Sequence, residues 1–233
     1  MDKIESIAER IEKIRSGLPD SVRLIAVTKQ VPPEAIRAAY WAGLRDFGEN
    51  RVQEAADKQE QLQDLTDITW HLIGHLQSNK AAKALEQFQW IQSVDSLKLA
   101  QRLDRLAGEL SCRPSICLQV KVLPDPDKFG WKTQELMADL AELDKCQYLS
   151  IRGLMTILPQ GLDDSQTQFG FNGLRELAEK IEGQNLSKIK MDQLSMGMSA
   201  DYHLAISAGA TMIRLGRVLF GERKIMGGNA VKQ

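Results

Sequence analysis

Apolar positions recur along this chain with two alternating periods. Near the start, Ile4, Ile7, Ile11 and Ile14 are three or four residues apart, the repeat that lines one face of a helix. Gly17, with Pro19 just beyond, supplies a stop, so the spacing predicts an opening amphipathic helix over 2–16. After it, short apolar or β-branched runs read as strands at 23–29 (RLIAVTK), 45–47, 69–73 (TWHLI), 90–94, 115–122 (SICLQVKV), 151–156, 190–195 and 211–215 (TMIRL). Between them lie longer segments with the helical period, at 33–42, 50–65, 97–110, 133–143 and 172–182. Pro32-Pro33 and Ser199 stand where helices are expected to begin.

Strands that alternate with helices call for a parallel sheet covered by those helices, since each crossover must return to the same sheet edge. Eight such units close most economically as a (β/α)8 barrel, for which about 250 residues is typical. An open doubly wound sheet is the alternative that the pattern alone leaves standing. No Pro/Gly/Ser-rich linker or shift of composition divides the chain, so residues 1–233 are expected to form one domain. Only a short tail follows the last strand and its loop, too little for a second domain.

Composition narrows the function more than the fold. Lys and Arg total 30 against 31 Asp and Glu, a net charge of −1, which argues against a nucleic-acid partner held by phosphate neutralisation. No apolar run approaches the ~20 residues of a membrane span, and the charged opening MDKIESIAERIEKIR is no signal peptide. Cys112, Cys117 and Cys146 are odd in number and lack C-x-x-C spacing, so neither a disulfide framework nor a cysteine zinc site fits. The expected compartment is the reducing cytoplasm.

In a barrel of this kind, reacting groups lie at the C-terminal strand ends and in the loops that follow. Lys29 ends the first predicted strand. It is either an ordinary solvated lysine or, if the face it shares with Ile25 and Val27 points inward, a partly desolvated amine at the barrel mouth that can condense with a carbonyl. Ser195-Met196-Gly197-Met198-Ser199 follows the seventh strand and leads into a helix predicted over 200–208. Gly216-Arg217-Val218-Leu219-Phe220-Gly221 follows the eighth. Each loop alone is an ordinary turn; together they match the recurrent anion site of this fold, where free N–H groups and a helix start converge. Arg214, inside an apolar strand, either meets carboxylates outside the barrel or faces the mouth one layer below Gly216. His71 and His75 sit on a strand and the turn after it, with no third ligand nearby, so the spacing does not favour a metal. Asn50, in Gly48-Glu49-Asn50-Arg51, reads as the N-cap of the next helix or as a mouth residue. Met155, Met191, Met196 and Met198 read as packing residues.

Several runs then carry a resemblance. Ala26-Val27-Thr28-Lys29, Phe47-Gly48-Glu49-Asn50, Trp70-His71-Leu72-Ile73-Gly74, Leu76-Gln77-Ser78-Asn79-Lys80, Gly153-Leu154-Met155-Thr156 and Ser195-Met196-Gly197-Met198-Ser199-Ala200-Asp201 occur in order. With Arg214-Leu215-Gly216 and Phe220-Gly221-Glu222-Arg223, they closely resemble the pyridoxal 5′-phosphate (PLP) homeostasis proteins. That family is similar to the barrel domain of alanine racemases and ornithine decarboxylases, without their second β domain. The resemblance implies that Lys29 holds PLP as an internal aldimine. It implies that Ser195, Gly216 and the backbone at Arg217, with Ser199 as a weaker candidate, hold the phosphate. It also implies that Arg214 faces the pyridine nitrogen and that Asn50 lies near the ring. The chain departs from the family pattern at Arg217, where Thr is common, which leaves only a backbone contact there. It departs at His75, where Pro is common, and at 125–130, where Lys128 only partly keeps the usual loop.

A guanidinium can only donate to an unprotonated pyridine nitrogen, which weakens the ring as an electron sink. The second domain that supplies the other acid/base group in the similar racemases is not expected here. The resemblance therefore implies a non-catalytic, monomeric, cytoplasmic PLP-binding protein that tunes free PLP and passes it to PLP-dependent apoenzymes. The competing expectations are a weak PLP-dependent racemase or decarboxylase, a Schiff-base aldolase that needs no PLP, and an interaction module without a chromophore.

Overall fold

Ser6 and Glu9 cap the first helix reciprocally: the Glu9 N–H donates to Ser6 Oγ at 3.2 Å and the Ser6 N–H to Glu9 Oε2 at 2.7 Å. This capping box starts α1 (Ile7–Arg15) at residue 7 rather than near residue 2. The computed structural model describes residues 5–221, so Ile4 and the rest of 1–4, and Glu222-Arg223 with the tail to 233, lie outside the described residues.

From there strand and helix alternate. In chain order come β1 (Arg23–Val27), α2 (Pro33–Trp41), β2 (Asp46–Glu49), α3 (Val52–Gln61), β3 (Thr69–Leu72), a 3-10 turn (Ser78–Lys80), α4 (Ala81–Gln87), β4 (Trp90–Val94), α5 (Leu97–Glu109) and β5 (Ser115–Lys121). They are followed by β6 (Trp131–Lys132), α6 (Thr133–Leu143), β7 (Ser150–Met155), α7 (Asp164–Glu182), β8 (Ile189–Ser195), α8 (Tyr202–Ser207), β9 (Met212–Leu215) and α9 (Arg217–Phe220). Every pairing is parallel. The strands neighbour one another in the order β4-β3-β2-β1-β9-β8-β7-β5, and β4 also pairs with β5, which closes the ring. The closed (β/α)8 barrel forms, not the open sheet. Among the described residues only the two-residue β6 stands outside the ring, paired with the end of β5.

Side chains alternate between two cores. Along β9, Ile213 and Leu215 join the layer between strands and helices, whereas Met212 faces a smaller cluster with Ile25, Trp90, Cys117 and Met155 inside the ring. The amphipathic helices seal the outer layer; α5, for example, buries Leu99, Ala100, Leu103 and Ala107.

Several boundaries differ from the sequence expectation. The first strand ends at Val27, so Lys29 lies in the turn beyond it. The residue capping α3 is Arg51, not Asn50, and α8 follows Asp201, not Ser199. Asp201 Oδ1 instead accepts the Met198 N–H at 2.6 Å, which closes the turn containing Ser199. The longest helix, α7, begins at Asp164 instead of 172, because Asp163 and Gln166 form a second reciprocal cap.

Candidate functional site

Register places the mouth residues in tiers. On the adjacent strands β1 and β9, Ile25 lies opposite Arg214. Ile25 belongs to the interior cluster, so Val27 and Gly216 occupy the next inward tier, and a Cβ on Gly216 would sit 3.4 Å from Val27 Cβ. Half-buried Lys29 follows in the turn above. The strand's alternation runs inward through Ile25 and Val27 and ends there, with Lys29 in the turn two residues on.

The turn carrying Lys29 is held from outside the barrel by buried ions. Lys58, on α3, donates to the Thr28 carbonyl, Glu49 Oε1 and Glu54 Oε1, each at 2.7 Å. Thr28 Oγ1 donates to Glu49 Oε1 at 2.5 Å, and the Gln30 N–H donates to Glu54 Oε1 at 2.5 Å. The residues on either side of Lys29 are thus tied to one cluster. Burial pushes the Glu49 carboxyl above the usual carboxylate range, against the hydrogen bonds from Lys58 and Thr28 that pull it down. Burial acts on Glu54 the same way, but the Lys58 and Gln30 donors outweigh it and its carboxyl ends lower.

Arg214 faces inward and is only 4% exposed. Its Nη1 donates to Ser195 Oγ at 2.7 Å and its Nη2 to the Thr156 carbonyl at 2.8 Å, both neutral acceptors. Burial brings this guanidinium down to about 10, with Asp201 acting against that shift. Ser195 is fully buried and pairs in register with Met212, below the level of Arg214. Its hydroxyl donates to Gln92 Oε1 at 2.6 Å. The Gln92 amide lies 2.9 Å from His71 Nδ1, and His71 Nε2 lies 2.8 Å from Asp46 Oδ1.

The two loops expected to hold an anion meet at this mouth. Gly197 adopts φ +92, a left-handed conformation suited to glycine, and its carbonyl accepts the Arg214 N–H at 3.0 Å. Gly216 has φ −122, so its backbone does not demand glycine. Its missing side chain leaves room over Val27 at the mouth. Arg217 opens α9 with an exposed side chain. The Leu219 and Phe220 N–H groups both donate to the Gly216 carbonyl at 3.0 Å, so the N–H groups of Arg217 and Val218 are the ones that precede the helix's own bonds. Ser199 is half-buried in the turn before α8. Asn50 is half-buried after β2, two residues beyond the inward Gly48.

His71 lies inside the barrel, whereas His75 stacks on Phe129 at 3.6 Å and meets Asp95 Oδ2 at 2.9 Å on the rim. Lys128 is half-buried in the loop beside Phe129. Cys117 faces the interior, where burial pushes its thiol up to about 12. Sequence reasoning missed Thr156, Gln92 and Lys58 as parts of this assembly, read Glu49 within a mouth cluster where the structure sets it against Lys58 of α3, and gave His71 no structural role. The available signal was Gln92 and His71, polar residues on the inward period of otherwise apolar strands.

A barrel whose eighth strand aims a buried arginine at a mouth bordered by a lysine is of the alanine racemase type, and the alanine racemase N-terminal domain family matches residues 3–224. Alanine racemase from Clostridium difficile 630 has the same fold at 15% identity and a TM-score of 0.80, with 94% of this chain and 57% of that one covered. More similar are the curated pyridoxal phosphate homeostasis proteins of Synechocystis sp. (53% identical over 211 residues, 91% of this chain and 96% of the relative) and Pseudomonas aeruginosa (40% over 230 residues, 94% and 97%). PipY of Synechococcus elongatus PCC7942 has been solved without PLP and with PLP bound. The two structures are 56% and 55% identical to this chain, with TM-scores of 0.90 and 0.89, and each matches over 93% of this chain and 100% of its own. The chain belongs to the pyridoxal phosphate homeostasis protein family.

Proposed function

We propose that this protein is a non-catalytic PLP carrier that holds the cofactor covalently on Lys29 and thereby buffers the free vitamin. The observation that carries the reading is the tier order on β1 and β9: Arg214 below, side-chain-free Gly216 with Val27 above it, and the half-buried Lys29 amine at the top. A flat aldehyde with an anionic tail fits that order. Lys29 would hold its aldehyde carbon, water leaving as the bond forms, and Arg214 would face the ring nitrogen as a donor. Gly216, the backbone N–H of Arg217 and Ser199 would hold the phosphate, and Asn50 would border the ring. PLP, when bound, supplies an electron sink for amino-acid carbanions.

Arg214 argues against chemistry that needs a protonated pyridine, such as transamination, and leaves racemase-type chemistry as the competing reading. With its proton held to about 10, the guanidinium stays a donor at neutral pH and does not deliver a proton to the ring nitrogen. Passing PLP to apoenzymes as a cytoplasmic monomer completes the proposal. Among the described residues no helix is long and apolar enough to cross a membrane.

The test is the visible absorption spectrum of protein incubated with PLP. The wild type is expected to gain a band that Lys29→Ala lacks, with both proteins unfolding at similar temperatures. A wild type without the band, or a band that survives Lys29→Ala, overturns the reading.

A further inference from the structure

A single line of hydrogen bonds crosses the barrel interior from the mouth to the opposite end. Its members are Arg214, Ser195, Gln92, His71 and Asp46, contributed by β9, β8, β4, β3 and β2. With a neutral His71 ring, one direction satisfies every bond. A guanidinium only donates, so Ser195 Oγ accepts at 2.7 Å and its own O–H is left to donate to Gln92 Oε1 at 2.6 Å. That orients the Gln92 amide with its NH2 toward His71, whose Nδ1 must then be the acceptor at 2.9 Å. The neutral ring keeps its proton on Nε2, which donates to the Asp46 carboxylate at 2.8 Å. Starting from the carboxylate end gives the same assignment. His71 is fully buried, and burial holds its pKa below the usual value, against the pull of Asp46, so the neutral form that this order needs is the favoured one.

The line solves a packing problem at Arg214. A long cationic side chain inside a barrel is expected to find carboxylates or to bend toward water. Here its fork is set instead by one hydroxyl and the Thr156 carbonyl. The hydroxyl is itself set by an amide whose orientation depends on the histidine tautomer. A Ser195 contact to phosphate would compete with this, because the oxygen already accepts from Arg214 and its proton is engaged with Gln92.

We propose that Ser195, Gln92 and His71 are positioning residues that aim Arg214 at the cofactor ring, and that Ser195 acts on PLP through Arg214 rather than by holding the phosphate. The proposal rests on the cofactor reading above. It predicts that Ser195 matters equally for PLP and for pyridoxal, which has the same ring and aldehyde without the phosphate.

The experiment titrates wild type, Ser195→Ala, Ser195→Thr, Arg214→Gln and the Ser195→Ala/Arg214→Gln double variant with PLP and with pyridoxal, following the visible band from the bond to Lys29. Ser195→Ala is expected to weaken both aldehydes by the same factor, about tenfold for one bond to a charged donor. It is expected to add nothing once Arg214 is Gln, and Ser195→Thr, which keeps the hydroxyl, is expected to restore most of the affinity. A loss confined to PLP, or one that persists in the Arg214→Gln background, overturns the proposal while leaving the cofactor reading intact. A wild type without the band with either aldehyde overturns the cofactor reading itself. A second measurement needs no variant: nitrogen-resolved NMR of the intact protein should show His71 as the neutral Nε2–H tautomer at neutral pH. An Nδ1–H or doubly protonated ring overturns the donor order.

Discussion

Lys58 places all three of its ammonium donors on oxygens around the Lys29 turn, and it does so from a buried position on α3. Removing it leaves Glu49 buried beside a carbonyl, with one carboxylate oxygen already unpartnered. Lys58→Met is therefore expected to destabilise the fold by about 3–5 kcal/mol, the range for breaking a buried ion pair from one side. Urea unfolding measures this, and a change below about 1 kcal/mol would show that the cluster is not a clamp. Gly216→Ala should behave in the opposite way. Its φ of −122 suits alanine, and the new Cβ meets Val27 at the ordinary distance of 3.4 Å, so stability should hold. PLP affinity should fall about tenfold or more if the methyl fills the cofactor's space. A variant that binds PLP like wild type would remove Gly216 from the cradle. Little of the Lys58 cluster was legible in sequence, because a lysine in the run QEAADKQEQ reads as a solvated face. Its only trace is the spacing Val52, Ala55, Lys58, which places it on the buried side of α3.

The β8–α8 loop shows how an element's ends position a side chain inside the barrel. Gly197, at φ +92, turns the chain so that its carbonyl meets the Arg214 N–H, and a Cβ there would lie 2.6 Å from Ala205 Cβ. Gly197→Ala is thus expected to lose about 2 kcal/mol from backbone strain and crowding together. Thermal unfolding checks it; an unchanged midpoint would mean that the turn relaxes freely. The strands themselves were readable because buried parallel strands are short, nearly continuous apolar runs. Their ends were not, since strand and turn share residues such as Val-Thr-Lys at 27–29 and only the pairing ladder separates them. The first turns of α7 escaped detection for a different reason. Gly170 looks like a breaker, although it is where the helix packs against Leu158 and Leu123. The Asp163–Gln166 cap was the stronger signal. Ser199 lost the cap of α8 to Asp201, two residues nearer the helix.

Across the whole molecule, two buried ionisable groups draw stability in opposite directions as pH falls. His71 is held below its ordinary value of 6.5, chiefly by burial, with Arg23 adding to that and Asp46 opposing it. The unfolded chain therefore takes up the proton first, and stability from this group is lost as pH falls below 6.5. Glu49 is held above its ordinary 4.5, again chiefly by burial. For this group the folded state takes up the proton first, so its contribution is full below 4.5 and is lost as pH rises through the raised value. The His71 window reaches down from 6.5 and the Glu49 window reaches up from 4.5, so wherever they meet the two slopes oppose each other. Glu49→Gln removes one of them, and stability should then fall more steeply than wild type on acidification through the window just above 4.5, by up to about 1.4 kcal/mol per pH unit. His71→Phe removes the other and should flatten or reverse the acid slope relative to wild type. Both substitutions lower stability overall, since each leaves a hydrogen-bond partner behind, so the change of slope with pH, not the midpoint at one pH, carries the test. Urea midpoints for the three proteins across that range decide the matter: parallel curves would mean that neither group titrates differently in the folded and unfolded chain. The interior line from Asp46 to Arg214 would then owe its order to packing rather than to a histidine kept neutral.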